Sequence, residues 1–92
     1  MTVARHVRVT GVVQGVFYRA WTKQQAEKLG VHGWVRNCPD GSVEAHVEGV
    51  EAEVQQLIER LGDGPPSAEV SKVDVQDVEP EDFHHFAVAR SF

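Results

Sequence analysis

The sequence has few of the residues that build disulfide-bonded or metal-stabilised proteins. Its 92 residues include one cysteine, Cys38, so an internal disulfide is excluded. A single cysteine fits a reducing compartment, and we expect a cytoplasmic protein. No two histidines lie one helical turn apart on a predicted helix, and the adjacent His84 and His85 would point to opposite faces of a strand. We therefore expect no metal and no cofactor.

The sequence also has no long apolar run. None of its hydrophobic stretches approaches the length of a membrane-spanning helix, and the N-terminus does not have the charged-then-apolar layout of a signal peptide. With 41% hydrophobic and 25% charged residues, the composition is that of an ordinary globular protein. The length suits one domain over residues 1–92, which we expect to be a monomer without membrane contacts.

Basic residues are scarce, and their distribution is uneven. The net charge of −5 argues against nucleic-acid binding driven by bulk electrostatics. Residues 1–36 nevertheless carry six lysines and arginines against Glu27 alone, whereas residues 37–92 carry three against thirteen acidic residues. A basic N-terminal part suits a small anionic ligand, although two differently charged solvated faces would give the same pattern.

The first half of the chain predicts a strand, a helix and a hairpin. Alternating valines indicate a strand over about residues 4–12, and a helix follows over about 19–29, with Gly30 as its C-cap. The pattern then predicts a strand over 31–37 and another over 43–48, joined by the Pro39–Gly41 turn.

The second half predicts a helix and further strands. Val54, Leu57, Ile58 and Leu61 follow the helical i, i+3, i+4, i+7 pattern, and Gly62 comes after the expected last turn. A change of phase between Val70 and Val73 predicts a β-bulge near Ser71, and a last strand is expected over about 83–91. The order β-α-β-β-α-β plus a short C-terminal strand predicts an α+β, ferredoxin-like sandwich with a mainly antiparallel sheet and two helices on one face.

The turn after the first predicted strand has the composition of an anion-binding loop. Consecutive backbone N–H groups, the positive end of the following helix and the guanidinium of Arg19 could all point at one oxyanion. Gly15 permits close backbone approach. The G-x-x-x-G spacing is common by itself, and Asn37 before a Pro-Asp-Gly turn also suits plain turn geometry. The candidate loop comprises Gln14, Gly15, Val16, Phe17, Tyr18 and Arg19.

Taken together, the loop and the Gly33–Glu44 segment resemble the acylphosphatase family. The resemblance covers nearly the whole chain, and both family signatures stand at the usual separation. It is carried by Gly11, Val13–Val16, Tyr18, Arg19, Ala26, Gly30, Gly33–Val35, Asn37, Asp40, Gly41, Val43 and Glu44.

This resemblance implies both an activity and the residues that perform it. Acylphosphatases cleave the carboxyl–phosphate bond of acyl phosphates without a metal, giving a carboxylate and inorganic phosphate. By resemblance, residues Gln14–Arg19 bind the phosphoryl group, Arg19 is the phosphate-binding arginine and Asn37 positions the attacking water. The substrate is then a small-molecule acyl phosphate.

Two other functions are compatible with the predicted fold. Ferredoxin-like domains also bind RNA, but those use aromatic residues and a basic motif on the third strand, whereas the predicted strand over residues 43–48 has no aromatic residue and no net positive charge. A phosphate- or anion-binding domain without turnover is the other alternative. The presence of both Arg19 and Asn37 favours the enzyme.

Overall fold

The fold is described by a computed structural model that covers residues 1–90. The chain forms five strands and two helices in the predicted order. Their bounds are β1 Thr2–Val12, α1 Tyr18–Leu29, β2 His32–Asn37, β3 Val43–Val50, α2 Glu51–Asp63, β4 Glu69–Val78 and β5 Phe86–Val88.

The strands form one sheet in the order β4-β1-β3-β2-β5. All neighbours are antiparallel except β2 and β5, which run parallel. Non-sequential strands β1 and β3 lie side by side at the centre, so residues from both halves of the chain meet there. This is the predicted ferredoxin-like sandwich with one added strand.

One face of the sheet is covered by both helices. The valines of β1, β2 and β3 that point to this face are buried together with residues of α1 and α2. Their alternation along each strand is the pattern that the sequence displays. The buried cluster includes Val7, Val9, Val35, Val43, Val47, Ala26, Val54, Leu57 and Leu61. None of the helices within the described residues is long and apolar enough to cross a membrane.

The predicted bulge lies at Ser71. Thr10 pairs with Lys72 and Gly11 pairs with Val70, so Ser71 is left out of the ladder between β1 and β4. The extra residue reverses which side chains face the helices, so that Val70 and Val73 can both pack against the core.

Two predicted boundaries are corrected. Helix α2 continues through Gly62 to Asp63, and the residue with positive φ that ends it is Gly64. The last strand spans only Phe86–Val88, because the backbone of Phe83 is bonded to the side chains of His32 and Glu48 and does not pair with a neighbouring strand. Part of the predicted strand, residue 91, lies outside the described residues.

Candidate active site

The loop between β1 and α1 has an unusual backbone. Gly15 has φ of 73° and Phe17 has φ of 63° and ψ of 21°. The left-handed region is uncommon for a bulky residue such as phenylalanine. Two left-handed residues in this loop bring the chain sharply round into the first turn of α1. Such strain recurs at functional sites, where surrounding contacts hold it in place.

Two side chains fix this loop to other parts of the fold. Gln14 Nε2 donates hydrogen bonds to the carbonyl oxygens of Cys38 and Ser42, at 2.9 and 2.8 Å. The buried Tyr18 hydroxyl donates to the Leu61 carbonyl oxygen at 2.6 Å. Burial raises the pKa of Tyr18, so its phenol remains a proton donor across the neutral range. Both side chains therefore act as tethers for the loop.

The start of α1 is electrostatically open to an anion. Within the described residues, Phe17 at the N-cap of α1 makes no side-chain capping bond, and the first turn of α1 contains no acidic residue. Helix α2 differs, because Glu51 and Glu53 occupy its first turn. The first N–H groups of a helix have no acceptor within the helix and carry a partial positive charge. The α1 N-terminus can thus bind an anionic group.

A cavity of about 380 Å³ opens at this helix start. It is formed by the loop, the end of β2 and the short strand β5, three segments that are distant in sequence. Arg19 and Asn37 supply its polar side chains. The lining consists of Val13, Gly15, Phe17, Tyr18, Arg19, Ala20, Asn37 and Val88.

Asn37 provides a buried hydrogen-bond acceptor in this cavity. It is the last residue of β2, and its side-chain oxygen Oδ1 is buried without a hydrogen-bond partner among residues 1–90. A buried polar atom without a partner costs free energy, commonly about 1–3 kcal/mol. Because Asn37 lines the cavity, this unsatisfied acceptor is a candidate hydrogen-bond partner for a water molecule or a ligand bound there.

The turn that follows Asn37 is closely bonded. Cys38 N–H donates to the Ser42 carbonyl oxygen at 2.8 Å, and Gly41 N–H donates to the Cys38 carbonyl oxygen at 3.1 Å. The Ser42 hydroxyl and N–H donate to Asp40 Oδ1 at 2.6 and 3.0 Å. These bonds from Ser42, with the nearby charge of Arg8, lower the pKa of Asp40. The turn thereby holds the end of β2 in position.

The sheet face opposite the helices carries a second polar region. Glu44 on β3 is nearly buried and is contacted by three basic side chains: His6 Nε2 lies 2.9 Å and Arg8 Nη2 lies 3.6 Å from its Oε2, and Arg36 donates to its Oε1. Burial by itself would raise the pKa of Glu44, but the hydrogen bonds and charges of His6 and Arg36 outweigh burial and lower that pKa. Glu44 is therefore a satisfied structural carboxylate.

Glu48 holds the segment before β5 on the same sheet face. Its carboxylate accepts hydrogen bonds from the backbone N–H groups of Glu81 at 2.8 Å and Phe83 at 3.0 Å, and from His46 Nε2 at 2.7 Å. Burial would raise its pKa, yet these bonds together hold the pKa of Glu48 below its ordinary value. Among the described residues, no group of three or more His, Cys, Asp and Glu side chains could hold a metal ion.

Comparison with known proteins identifies the family. The sequence model of the acylphosphatase family matches residues 5–88. An acylphosphatase of Gloeobacter violaceus is 52% identical over 89 residues, covering 97% of this chain and 96% of that protein. The chain belongs to the acylphosphatase family. The sequence prediction of an acylphosphatase, a hydrolase, is thereby confirmed.

Solved acylphosphatase structures agree with this assignment. The acylphosphatase of Coxiella burnetii superimposes with a TM-score of 0.92 at 40% identity, covering 96% of this chain and 93% of that one. The acylphosphatase of Bacillus subtilis also gives a TM-score of 0.92, at 33% identity, covering 97% of this chain and 99% of that one. The RNA-binding and non-catalytic alternatives are not favoured.

The structure brings most of the predicted site residues of this acylphosphatase together. Gly15, Phe17, Tyr18, Arg19 and Asn37 all line the cavity. Two members of the predicted loop do not: the Gln14 side chain bonds to the β2–β3 turn, and Val16 packs against the core.

Sequence reasoning missed three apolar cavity walls. Val13, Ala20 and Val88 line the cavity but carry no chemical signature. Val13 and Ala20 flank the predicted loop, so their proximity could have been anticipated. Val88 lies in β5, and only the parallel pairing of β5 with β2, which sets Val88 opposite Val35, brings it into the same cavity as Asn37.

Proposed function

We propose that this acylphosphatase hydrolyses small-molecule acyl phosphates with Arg19 and Asn37 as its catalytic residues and without a metal. The observation that carries the assignment of roles is that Asn37 lines the same cavity as Arg19 and has a side-chain Oδ1 that is buried without a hydrogen-bond partner among residues 1–90. Such an acceptor is suited to a water molecule that must be aligned with a bound phosphoryl group.

The phosphoryl group binds at the start of α1. Backbone N–H groups of the 14–19 loop and the helix N-terminus face its oxygens, and the Arg19 guanidinium makes a forked, charge-assisted contact. This arrangement stabilises the negative charge on the equatorial oxygens in the transition state. The left-handed Gly15 and Phe17 give the loop its shape before substrate arrives, which lowers the cost of ordering it on binding.

The reaction is an in-line displacement at phosphorus. Water held by Asn37 forms a bond to phosphorus while the bond to the carboxyl oxygen breaks, and the carboxylate leaves with the bonding electron pair. One water proton stays on the attacking oxygen and the other moves to a non-bridging phosphate oxygen. Because a carboxylate is a good leaving group and an amide is no strong base, positioning and charge stabilisation supply the catalysis.

Hydrolysis of benzoyl phosphate in the presence of EDTA tests this proposal. We expect turnover by the wild type that chelation does not change. Absence of turnover above background would contradict the enzymatic function, and a chelation-sensitive rate would contradict metal independence. A pH–rate profile that requires an enzyme base with a pKa near neutrality would contradict proton transfer to the substrate phosphate.

We further propose that the protein is a single-domain, cytoplasmic monomer that binds no nucleic acid. One buried cysteine suits a reducing compartment. The net charge of −5 disfavours binding to a phosphate backbone. Size-exclusion chromatography with light scattering tests the oligomeric state, and fluorescence anisotropy with a single-stranded RNA tests the nucleic-acid prediction.

A further inference from the structure

A shallow apolar groove lies beside the catalytic cavity. It has a volume of about 370 Å³ and runs between α1 and the connector that follows α2. Its apolar lining consists of Val16, Phe17, Ala20, Trp21, Pro65 and Pro66. Gln24 and Ser67 complete it, so no charged side chain of the described chain lines the groove.

The groove adjoins the catalytic cavity. Phe17 and Ala20 line both of them. The Phe17 side chain is 84% exposed, although it stands at the N-cap of α1 in a left-handed conformation. A large aromatic side chain held in solvent at the junction of two depressions is available to cover an apolar ligand.

The phosphoryl site leaves the acyl end of a substrate unassigned. The acyl group must extend out of the cavity along its apolar walls. The groove is a neighbouring depression that shares two of the wall residues, Phe17 and Ala20. A second phosphate or a carboxylate entering the groove would lose hydration without gaining a charged partner. An apolar acyl group would instead exchange water for contact with Phe17, Trp21 and the prolines.

We propose that this groove is an acyl-binding subsite that selects substrates with an uncharged, apolar acyl group, either an aryl group or a medium-length alkyl chain. The inference rests on the proposed function, because it requires the phosphoryl group to bind at the start of α1. Phe17 is the specificity-determining residue, and Ala20 and Trp21 form the adjoining floor.

An aliphatic substrate series tests this subsite. Acetyl and hexanoyl phosphate have leaving groups of similar reactivity, whereas succinyl phosphate adds a charge at the far end. We expect kcat/KM of the wild type to be about tenfold higher for hexanoyl than for acetyl phosphate, and no higher for succinyl than for acetyl phosphate. Equal values for hexanoyl and acetyl phosphate would overturn the proposal.

Two variants locate the selectivity. Gln24→Trp fills the groove from an exposed position outside the catalytic cavity, and Phe17→Ala removes the shared aromatic wall. Both should lower the hexanoyl-to-acetyl ratio about three- to tenfold. Gln24→Trp should leave turnover of acetyl phosphate and inhibition by inorganic phosphate unchanged. The matched control is Gln56→Trp at an exposed position of α2, which should leave the ratio unchanged.

The outcomes separate this inference from the proposed function. If the protein hydrolyses none of the three substrates, the proposed function itself is contradicted. Hydrolysis of acetyl phosphate with a ratio that Gln24→Trp does not lower would overturn the acyl subsite alone. A preference for succinyl phosphate would show that the acyl group binds at a charged surface elsewhere, and this result would overturn the subsite too.

Discussion

Two polar regions of this acylphosphatase differ in how completely their buried groups are satisfied. On the open sheet face, Glu44 is contacted by His6, Arg8 and Arg36, and Glu48 accepts three hydrogen bonds. At the helix-side cavity, Asn37 keeps a buried oxygen that accepts nothing from residues 1–90. The richer collection of ionisable groups thus lies away from the site, and the unsatisfied group lies within it.

This difference distinguishes the structural polar residues from those that we propose to be catalytic. A carboxylate whose partners hold it ionised at neutral pH contributes to stability and has no proton to exchange there. A buried acceptor without a partner costs stability and can still accept a hydrogen bond from a ligand. We therefore expect mutations in the two regions to affect different quantities, which the following predictions test in order of decreasing effect.

Replacement of Arg19 should have the largest effect on catalysis. Arg19→Ala removes two charge-assisted hydrogen bonds to the phosphoryl group, and kcat/KM should fall about 10³-fold. Arg19→Lys should also be impaired, because an ammonium cannot reproduce the forked contact. Initial rates with benzoyl phosphate measure both variants. Activity of Arg19→Ala within tenfold of wild type would contradict the role of Arg19.

Replacement of Asn37 should lower turnover while product binding is retained. Asn37→Ala removes the acceptor that aligns water, and kcat should fall about 10²-fold. Inhibition by inorganic phosphate should persist, since the loop and Arg19 are unchanged. The free energy of unfolding should not decrease, because the lost oxygen had no described partner. An Asn37→Ala variant with wild-type kcat would show that the asparagine serves only the turn.

Replacement of Glu48 should affect stability instead. Glu48→Ala leaves the backbone N–H groups of Glu81 and Phe83 without their acceptor, and the free energy of unfolding should fall by about 2–4 kcal/mol. The folded fraction should retain its kcat. Urea unfolding at neutral pH measures the loss, with the exposed Glu59→Ala as a control that should stay within about 0.5 kcal/mol of wild type. A selective loss of kcat without destabilisation would reverse the comparison.

Acidification should produce the smallest of the four effects. The pKa values of Glu44 and Glu48 are lower in the folded state than the ordinary 4.5, so the unfolded chain binds protons first as pH falls. The two carboxylates contribute their full stabilisation at a pH above the ordinary pKa of 4.5. This stabilisation is lost as the pH falls through their lower pKa values in the folded state. The urea concentration at the unfolding midpoint should therefore decrease progressively as the pH is lowered below about 5. A Glu44→Gln, Glu48→Gln double variant should show a weaker pH dependence, and an unchanged slope would contradict the assignment.

Local sequence patterns predicted the fold well because they encode burial directly. The alternating valines of β1 and β3 and the 3.6-residue pattern of α2 specify which side of each element is buried. The conflict of phase around Ser71 even located the bulge. The short β5 was overestimated, because hydrogen bonds from distant residues decide where its pairing begins.

The sequence by itself determined the element order and the anion-binding composition of the 14–19 loop, and through family resemblance it gave the prediction that Arg19 and Asn37 belong to one site. Only the tertiary structure decided what surrounds them. It placed Val88 on the cavity wall, directed the Gln14 amide to the β2–β3 turn and left Asn37 Oδ1 buried without a described partner. The physical reason is that secondary structure follows from neighbours along the chain, whereas hydrogen-bond satisfaction depends on which distant segments the fold brings into contact.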